Sequence, residues 1–123
     1  SGGRTTMKLA EIAGKLGFKN LTPELASKND IEVKAGHSSD LLSDVLANAP
    51  GGSMLVTIQV HVNVIAVAVH AGLCGVIFAS GMVPEERVRL KAVEEGLPLY
   101  VSPEPTFDIV GKLYGLGLRG RGA

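Results

Sequence analysis

The stretch MLVTIQVHVNVIAVAVHAGLCGVIFA, residues 54–79, decides the fold because it joins three apolar segments with clear boundaries. Segment 54–60 is rich in β-branched residues and is typical of a strand. Segment 63–72 is equally apolar, but one strand running from residue 54 to residue 71 would be far too long. We therefore predict a buried helix there, capped by Asn63 and ended by Gly72. The short apolar run 73–79 indicates a second, buried strand.

The same alternation continues on both sides of this stretch. IEVKAG (31–36) alternates like a strand, LPLYVS (97–102) is a last strand, and a short strand is expected near 18–21. Helical spacing of apolar residues predicts further helices after a cap at Thr6, after a cap at Ser38 or Ser39, from Pro84 onward and after a cap at Thr106. Strands begin about 20 residues apart, which indicates βα units. The predicted fold class is α/β, with a mainly parallel sheet of four or five strands covered on both faces.

Two helices carry more specific predictions. In GHSSDLLSDVLANAPGG (36–52), either Ser38 or Ser39 is expected to cap the helix, with Asp40 in its positive first turn. In PEERVRLKAVEEG (84–96), Pro84 is expected to be the first helical residue. The spacing there directs Leu90 and Val93 toward the core.

Length and composition exclude several classes of protein. The 123 residues suffice for one domain, and 12 basic residues balance 12 acidic ones. This balance argues against nucleic-acid binding and against an acidic membrane partner, and no apolar run is long enough to span a bilayer. The single Cys74 favours a reducing compartment, so we expect a cytoplasmic protein. We interpret residues 1–6 as an expression remnant, 7–118 as one domain and 119–123 as a flexible tail.

The loops that follow the predicted parallel strands are the natural place for a binding site. The carboxyl ends of parallel strands share one edge of a sheet, and each such loop here leads into a helix whose N-terminus favours an anion. The loops are GHSSD (36–40), HVN (61–63), ASGM (79–82) and SPEPT (102–106). The predicted ligand-binding residues are Ser38, Ser39, Asp40, His61, Asn63, Ser80 and Gly81.

A purely structural interpretation of these residues is also open. Serine, aspartate and asparagine are favoured at helix starts whether or not a ligand binds, and His61 is equally suited to hydrogen bonding beside Asn63. The histidines lack metal-ligand spacing, and Cys74 is expected in the core. No phosphate-binding loop, dinucleotide fingerprint or nucleophile elbow occurs. We therefore predict no catalytic residue, no metal and no cofactor.

Several segments together resemble a stand-alone DRTGG-domain protein. They are MKLAEIAGKLG (7–17), SSDLLSDVLANAPGG (38–52), VTIQVHVNVIAVAV (56–69), GVIFASGMVPEE (75–86) and KAVEEGLPLYVSPEPTFDIVGKLYGLGL (91–118). The motif that names the family is altered in DIEVKAGH (30–37), where Ala35 replaces a usual glycine. The resemblance implies a three-layer α/β/α domain similar to the N-terminal domain of HPr kinase/phosphatase and to the DRTGG domain of phosphotransacetylase. It also implies an accessory module that dimerises or regulates.

Three functions remain open at this stage. The first is a non-catalytic, homodimeric sensor of a small anionic metabolite or adenine nucleotide. The second is an assembly module for a protein partner, which the high mean hydropathy favours. The third is an enzyme with His37 or His61 as general base, for which the sequence offers no nucleophile or metal.

Overall fold

The computed structural model describes residues 7–121, so the predicted remnant 1–6 and the last two residues of the predicted tail lie outside the described part. A 3₁₀ segment covers Pro23–Asp30. The strands are β1 Met7–Lys8, β2 Lys19–Asn20, β3 Glu32–Val33, β4 Ala35–Ser38, β5 Ser53–Thr57, β6 Gly75–Phe78 and β7 Leu99–Val101. The helices are α1 Leu9–Leu16, α2 Leu42–Asn48, α3 Asn63–His70, α4 Glu86–Glu95 and α5 Thr106–Gly115.

A five-stranded sheet with the order β2-β7-β6-β5-β4 forms the centre of the fold. Strands β4 to β7 are parallel, and β2 pairs antiparallel with β7. Strands β1 and β3 form a separate antiparallel pair. The prediction of a mainly parallel sheet with four or five strands is therefore confirmed.

Each face of the sheet carries its own apolar core, because successive side chains of a strand point to opposite faces. On one face, Met54, Val56 and Ile77 pack with buried residues of α1 and α5. On the other face, Leu55 and Phe78 pack with buried residues of α2, α3 and α4. Helices thus cover both faces, which confirms the three-layer α/β/α arrangement.

The segment 63–72 contains the predicted helix α3. The prediction rested on the limit to the length of a strand. Val64, Ile65 and Ala68 are fully buried along one side of α3, at the spacing that places residues on one helical face. Gly72 follows the helix with φ of 70°, a left-handed conformation that glycine adopts without steric cost. No helix within residues 7–121 has the length and the apolar character needed to cross a membrane.

Several local predictions are wrong. The first helix begins at Leu9, after strand β1, and not directly after Thr6, which lies outside the described residues. Helix α4 begins at Glu86, so Pro84 is not its first residue.

The single strand at 31–36 is two strands, since β3 pairs with β1 whereas β4 joins the main sheet and continues to Ser38. Helix α2 begins at Leu42, so neither Ser38 nor Ser39 caps it. In α4, Val88 and Ala92 face the core and Leu90 is 49% exposed. Leu90 lies two residues from Val88, which is about 200° around a helix and therefore on the opposite side.

Candidate functional site

The loops after the four parallel strands form one edge of the sheet, which we call the rim. The rim consists of residues 39–41 after β4, 58–62 after β5, 79–85 after β6 and 102–105 after β7. All seven predicted ligand-binding residues lie on the rim, at the end of β4 or at the start of α3. The sheet order places the first three loops on adjacent strands, in the sequence β4, β5, β6.

The loop after β4 is braced against the end of β5 by Asp40. Carboxylate oxygen Oδ1 of Asp40 accepts hydrogen bonds from the Thr57 hydroxyl and from the Ile58 backbone N–H, both at 2.9 Å. Ser39 acts locally, because its hydroxyl oxygen accepts a 3.1 Å hydrogen bond from the Leu41 N–H. The polar start GHSSD therefore connects two loops, and does not cap α2.

In the loop after β5, His61 accepts hydrogen bonds from backbone N–H groups at the start of α3. Ring nitrogen Nδ1 of His61 accepts a hydrogen bond from the Asn63 N–H at 3.1 Å, and the His61 carbonyl accepts one from the Val64 N–H at 2.9 Å. His61, and not Asn63, is thus the capping side chain. The Asn63 side chain is exposed and makes no hydrogen bond to another described residue.

The loop after β6 contains two successive residues in the left-handed conformation, Ser80 at φ 58° and Gly81 at φ 68°. This conformation is costly for a non-glycine residue such as Ser80. Hydrogen bonds of 2.8 Å hold it, from the Ser80 N–H to the Glu104 carbonyl and from the Gly81 N–H to the Ser102 carbonyl. The loops after β6 and β7 are therefore fixed to each other.

Several rim side chains retain hydrogen-bonding groups that the protein does not use. Ser80 and Asn63 are exposed, and so is Ser38 at the end of β4. Their side-chain polar groups form no hydrogen bond within the described range 7–121. Two rim carboxylates are paired with cations, Glu104 with Lys112 at 2.8 Å and Glu85 with Arg87 at 3.2 Å. The rim thus combines fixed loops with unused neutral polar groups.

His37 lies beside the rim but interacts with α2. Its Nε2 is 3.0 Å from Oδ2 of Asp44, and Oδ1 of Asp44 accepts a 2.8 Å hydrogen bond from the Asn48 amide. Hydrogen bonds from Asn48, and then from His37 and Ser39, hold the pKa of Asp44 below its usual value. This network attaches α2 to β4, whereas Asp40 hydrogen-bonds to Thr57 and Ile58.

Cys74 is part of the apolar core. The residue is buried, as predicted, and burial raises the pKa of its thiol to about 12. A thiol with such a pKa is a poor nucleophile and a poor metal ligand at neutral pH. Among residues 7–121 there is also no group of three histidine, cysteine or acidic side chains that is arranged to hold a metal ion.

Two features of the rim were not predicted from the sequence. Thr57 is completely buried, and its hydroxyl links Asp40 to the Gln59 N–H, which donates to it at 3.1 Å. The sequence offered one indication of this role, because Thr57 is a polar residue at the end of the apolar run MLVT (54–57). The second feature is a set of large apolar side chains around the rim that are 40% to 86% exposed: Leu41, Ile58, Met82, Val83 and Phe107.

Comparisons with known proteins identify the fold and not the family. No family model matches the chain, and no curated protein matches it. A similar solved structure comprises the CBS and DRTGG domains of the regulatory region of Clostridium perfringens pyrophosphatase, complexed with its activator diadenosine tetraphosphate. The sequences are 12% identical, the TM-score is 0.69, and the likeness covers 85% of this chain and 44% of that chain. A DRTGG-like fold is therefore supported.

Proposed function

We propose that this protein is a non-catalytic regulatory module that binds a small anionic ligand at the rim and acts as a homodimer. The observation that carries the proposal is the set of unused polar groups on fixed loops. Ser38 ends β4, Asn63 begins the helix after β5, and Ser80 lies in the loop after β6. Each offers a hydrogen-bonding group that the described part of the chain leaves unoccupied. Neutral hydroxyl and amide donors on a fixed backbone suit an anion, because the loops need not rearrange when it binds.

The other predicted residues have supporting roles in this proposal. Asp40 holds the loop after β4 in place, and His61 shapes the start of α3. Gly81 lets a ligand approach the backbone closely, because it carries no side chain and a Cβ atom built there meets nothing within 4 Å. The pairing of Glu85 with Arg87 and of Glu104 with Lys112 reduces the repulsion that an incoming anion would otherwise meet.

An adenine nucleotide is the proposed ligand class. The similar pyrophosphatase structure is that of a regulatory region in complex with diadenosine tetraphosphate, so a domain with this fold occurs beside a nucleotide activator. The non-catalytic part of the proposal is supported by the high pKa of Cys74, whose buried thiol is a poor nucleophile. The His37 ring hydrogen-bonds to Asp44, and the His61 ring accepts a hydrogen bond from the Asn63 N–H. Within the described residues, neither ring hydrogen-bonds to a serine, threonine or cysteine side chain that it could activate.

A protein assembly module is the second candidate function, and the exposed apolar side chains of the rim favour it. Phe107 is 86% exposed, Leu41 65% and Val83 59%. Large apolar side chains clustered at one edge are typical of protein–protein interfaces. Such a module would pair with a second copy or with another protein, and it would need no small ligand.

The substitution Asn63→Ala tests the ligand site. We expect it to weaken the binding of ATP, ADP or diadenosine tetraphosphate by about tenfold, since one hydrogen bond to a charged group is lost. Isothermal titration calorimetry measures the affinity, and a thermal melt verifies that the variant is folded. Asn48→Ala is the matched control, because Asn48 is also exposed but lies at the far end of α2. Equal affinities in the wild type and the Asn63 variant would remove Asn63 from the site.

A further inference from the structure

A cleft of about 260 Å³ lies on the α5 face of the sheet, beside the edge strand β4. Its apolar part consists of Val56 from β5, Val110 and Leu113 from α5, and Leu118 from the segment after α5. A water molecule takes about 30 Å³ in the liquid, and pockets that bind drug-sized ligands measure roughly 300–1,000 Å³. The cleft therefore has room for a single ring or a short branched chain.

The cleft exists because the segment after α5 folds back along β4. Gly117 turns the chain with φ of 109°, and the Gly36 N–H then donates a 2.9 Å hydrogen bond to the Arg119 carbonyl. Gly36 contributes no side chain to the space between β4 and α5. A Cβ atom built at Gly36 would lie 3.6 Å from Cδ2 of Leu118. The hydrogen bond between Gly36 and Arg119 thus holds the segment after α5 against β4, and no side chain from Gly36 fills the space beside it.

Arg119 brings a positive charge to this apolar space. Its guanidinium carbon lies 3.6 Å from the centre of the Tyr114 ring, and its Nη1 donates to the carbonyl oxygens of Tyr114 and Leu118. Over the range 7–121, no carboxylate lies within ion-pair distance of this guanidinium. Stacking and two carbonyl contacts hold the side chain in place, and no carboxylate of the described residues neutralises its charge.

We propose that this cleft binds a small amphiphilic anion, in which one aromatic ring or a short branched hydrocarbon carries a carboxylate. The ring or hydrocarbon occupies the space between Val56, Val110 and Leu118, where it removes apolar surface from water. The carboxylate pairs with Arg119, whose planar guanidinium matches the geometry of a carboxylate. The charge of Arg119 and the small volume select this class over a neutral molecule and over a large one.

The cleft is distinct from the rim site and does not depend on it. The two share only Ser38, which is the last residue of β4 and also lines the cleft. The remaining predicted ligand-binding residues are absent from the cleft lining. Binding of a carboxylate in the cleft and binding of a nucleotide at the rim are therefore separate properties, and the failure of one leaves the other standing.

The test uses 3-phenylpropionate as the probe and the neutral 3-phenylpropionamide as its matched control. In two-dimensional amide NMR titrations of the full chain, the carboxylate is expected to shift the signals of Gly36, Tyr114 and Gly120 with millimolar affinity. The amide is expected to bind about tenfold more weakly, because it lacks the charge. Shifts confined to the rim residues Asn63 and Gly81, or equal affinity for both probes, would overturn the proposal.

Two pairs of variants sharpen this test. Arg119→Gln is expected to abolish the preference for the carboxylate, whereas Arg121→Gln is expected to retain it. Val110→Trp fills the cleft and is expected to abolish binding of both probes. Val69→Trp is its control, since Val69 and Val110 are valines on helices with 41% and 36% exposure. An Arg119 variant that still prefers the carboxylate, or a Val110 variant that still binds, would contradict the assignment.

Discussion

The two edges of the five-stranded sheet are closed in different ways. Beside the β2 edge, the buried hydroxyl oxygen of Thr22 accepts a 3.1 Å hydrogen bond from the Leu99 N–H, and Arg89 donates to the Leu21 carbonyl at 3.0 Å. At the β4 edge, the single backbone hydrogen bond from Gly36 to Arg119 leaves an open cleft beside it. Side-chain hydrogen bonds thus cover the β2 edge. The β4 edge retains the open cleft and exposed polar side chains.

This difference separates stability from binding. A buried polar group that loses its partner costs more than an exposed one, because water cannot replace the missing hydrogen bond. At the β2 edge the Thr22–Leu99 contact is buried and the Arg89–Leu21 contact is partly buried, so substitutions there should mainly change the free energy of unfolding. The β4 edge and the adjoining rim carry exposed groups, so substitutions there should mainly change the affinity for a ligand.

Thr22→Val gives the largest expected effect. The substitution leaves the buried Leu99 N–H without a partner, so we expect the free energy of unfolding to fall by about 1–3 kcal/mol. Urea denaturation measures this loss. Thr22→Ser keeps the hydroxyl and should retain more of the stability than the valine variant.

Ser38→Ala is the matched change at the β4 edge. Its hydroxyl is exposed and makes no hydrogen bond within the described part of the protein, so the stability should change by less than about 0.5 kcal/mol. Equal losses for Thr22→Val and Ser38→Ala would remove the distinction between the two edges.

Arg89→Gln should have a smaller effect than Thr22→Val. Arg89 pairs with Glu24 at 2.9 Å and with Glu86 at 2.8 Å, and these carboxylates are largely exposed. Salt screens exposed ion pairs, so the difference in melting temperature between wild type and variant should shrink at 1 M sodium chloride. A difference that is unchanged by salt would show that the contact with the Leu21 carbonyl, and not the ion pairs, carries the effect.

Asp44→Asn should have a smaller effect than Arg89→Gln at neutral pH, and the pH dependence of the stability reveals it. The Asn48 amide, followed by His37 and Ser39, lowers the pKa of Asp44, so the folded state favours the ionised carboxylate. This contribution is present above the pKa of the unfolded chain, about 4, and is lost as the pH falls through the lower folded pKa. The melting temperature of the wild type should therefore fall more between pH 6 and pH 2 than that of the variant.

The variant Asn48→Ala provides the control for this pH effect. It removes the main hydrogen bond that lowers the pKa of Asp44 but keeps the carboxylate. Its acid sensitivity should lie between those of the wild type and Asp44→Asn. Identical pH profiles for all three proteins would show that the network between β4 and α2 does not contribute.

Local sequence patterns predicted the elements of the fold but not the contacts between them. The helix at 63–72 followed from the length limit on a strand, and the parallel sheet followed from the spacing of the strands. The break between β3 and β4 was missed, because alternation in IEVKAG does not show which sheet a residue joins. The capping prediction for GHSSD failed because Asp40 binds Thr57, which lies 17 residues away.

The predicted site depended on topology more than on chemistry. Parallel strands place their following loops at one edge, which is why the seven predicted residues lie along the rim. The roles of individual residues could not be predicted in this way, since His61 takes the capping role assigned to Asn63. The cleft was not visible in the sequence at all, because it forms only when residues after Gly117 dock against Gly36.

Native mass spectrometry of the purified protein at micromolar concentration tests the central claim most directly. Spectra are recorded without ligand and with ATP, ADP or diadenosine tetraphosphate, and the same series is repeated with Asn63→Ala. The proposed function predicts a dimer that retains a nucleotide, with the retained fraction clearly reduced in the variant. A monomer that retains none of these nucleotides would contradict it, whereas a dimer without any nucleotide would leave the assembly module as the function.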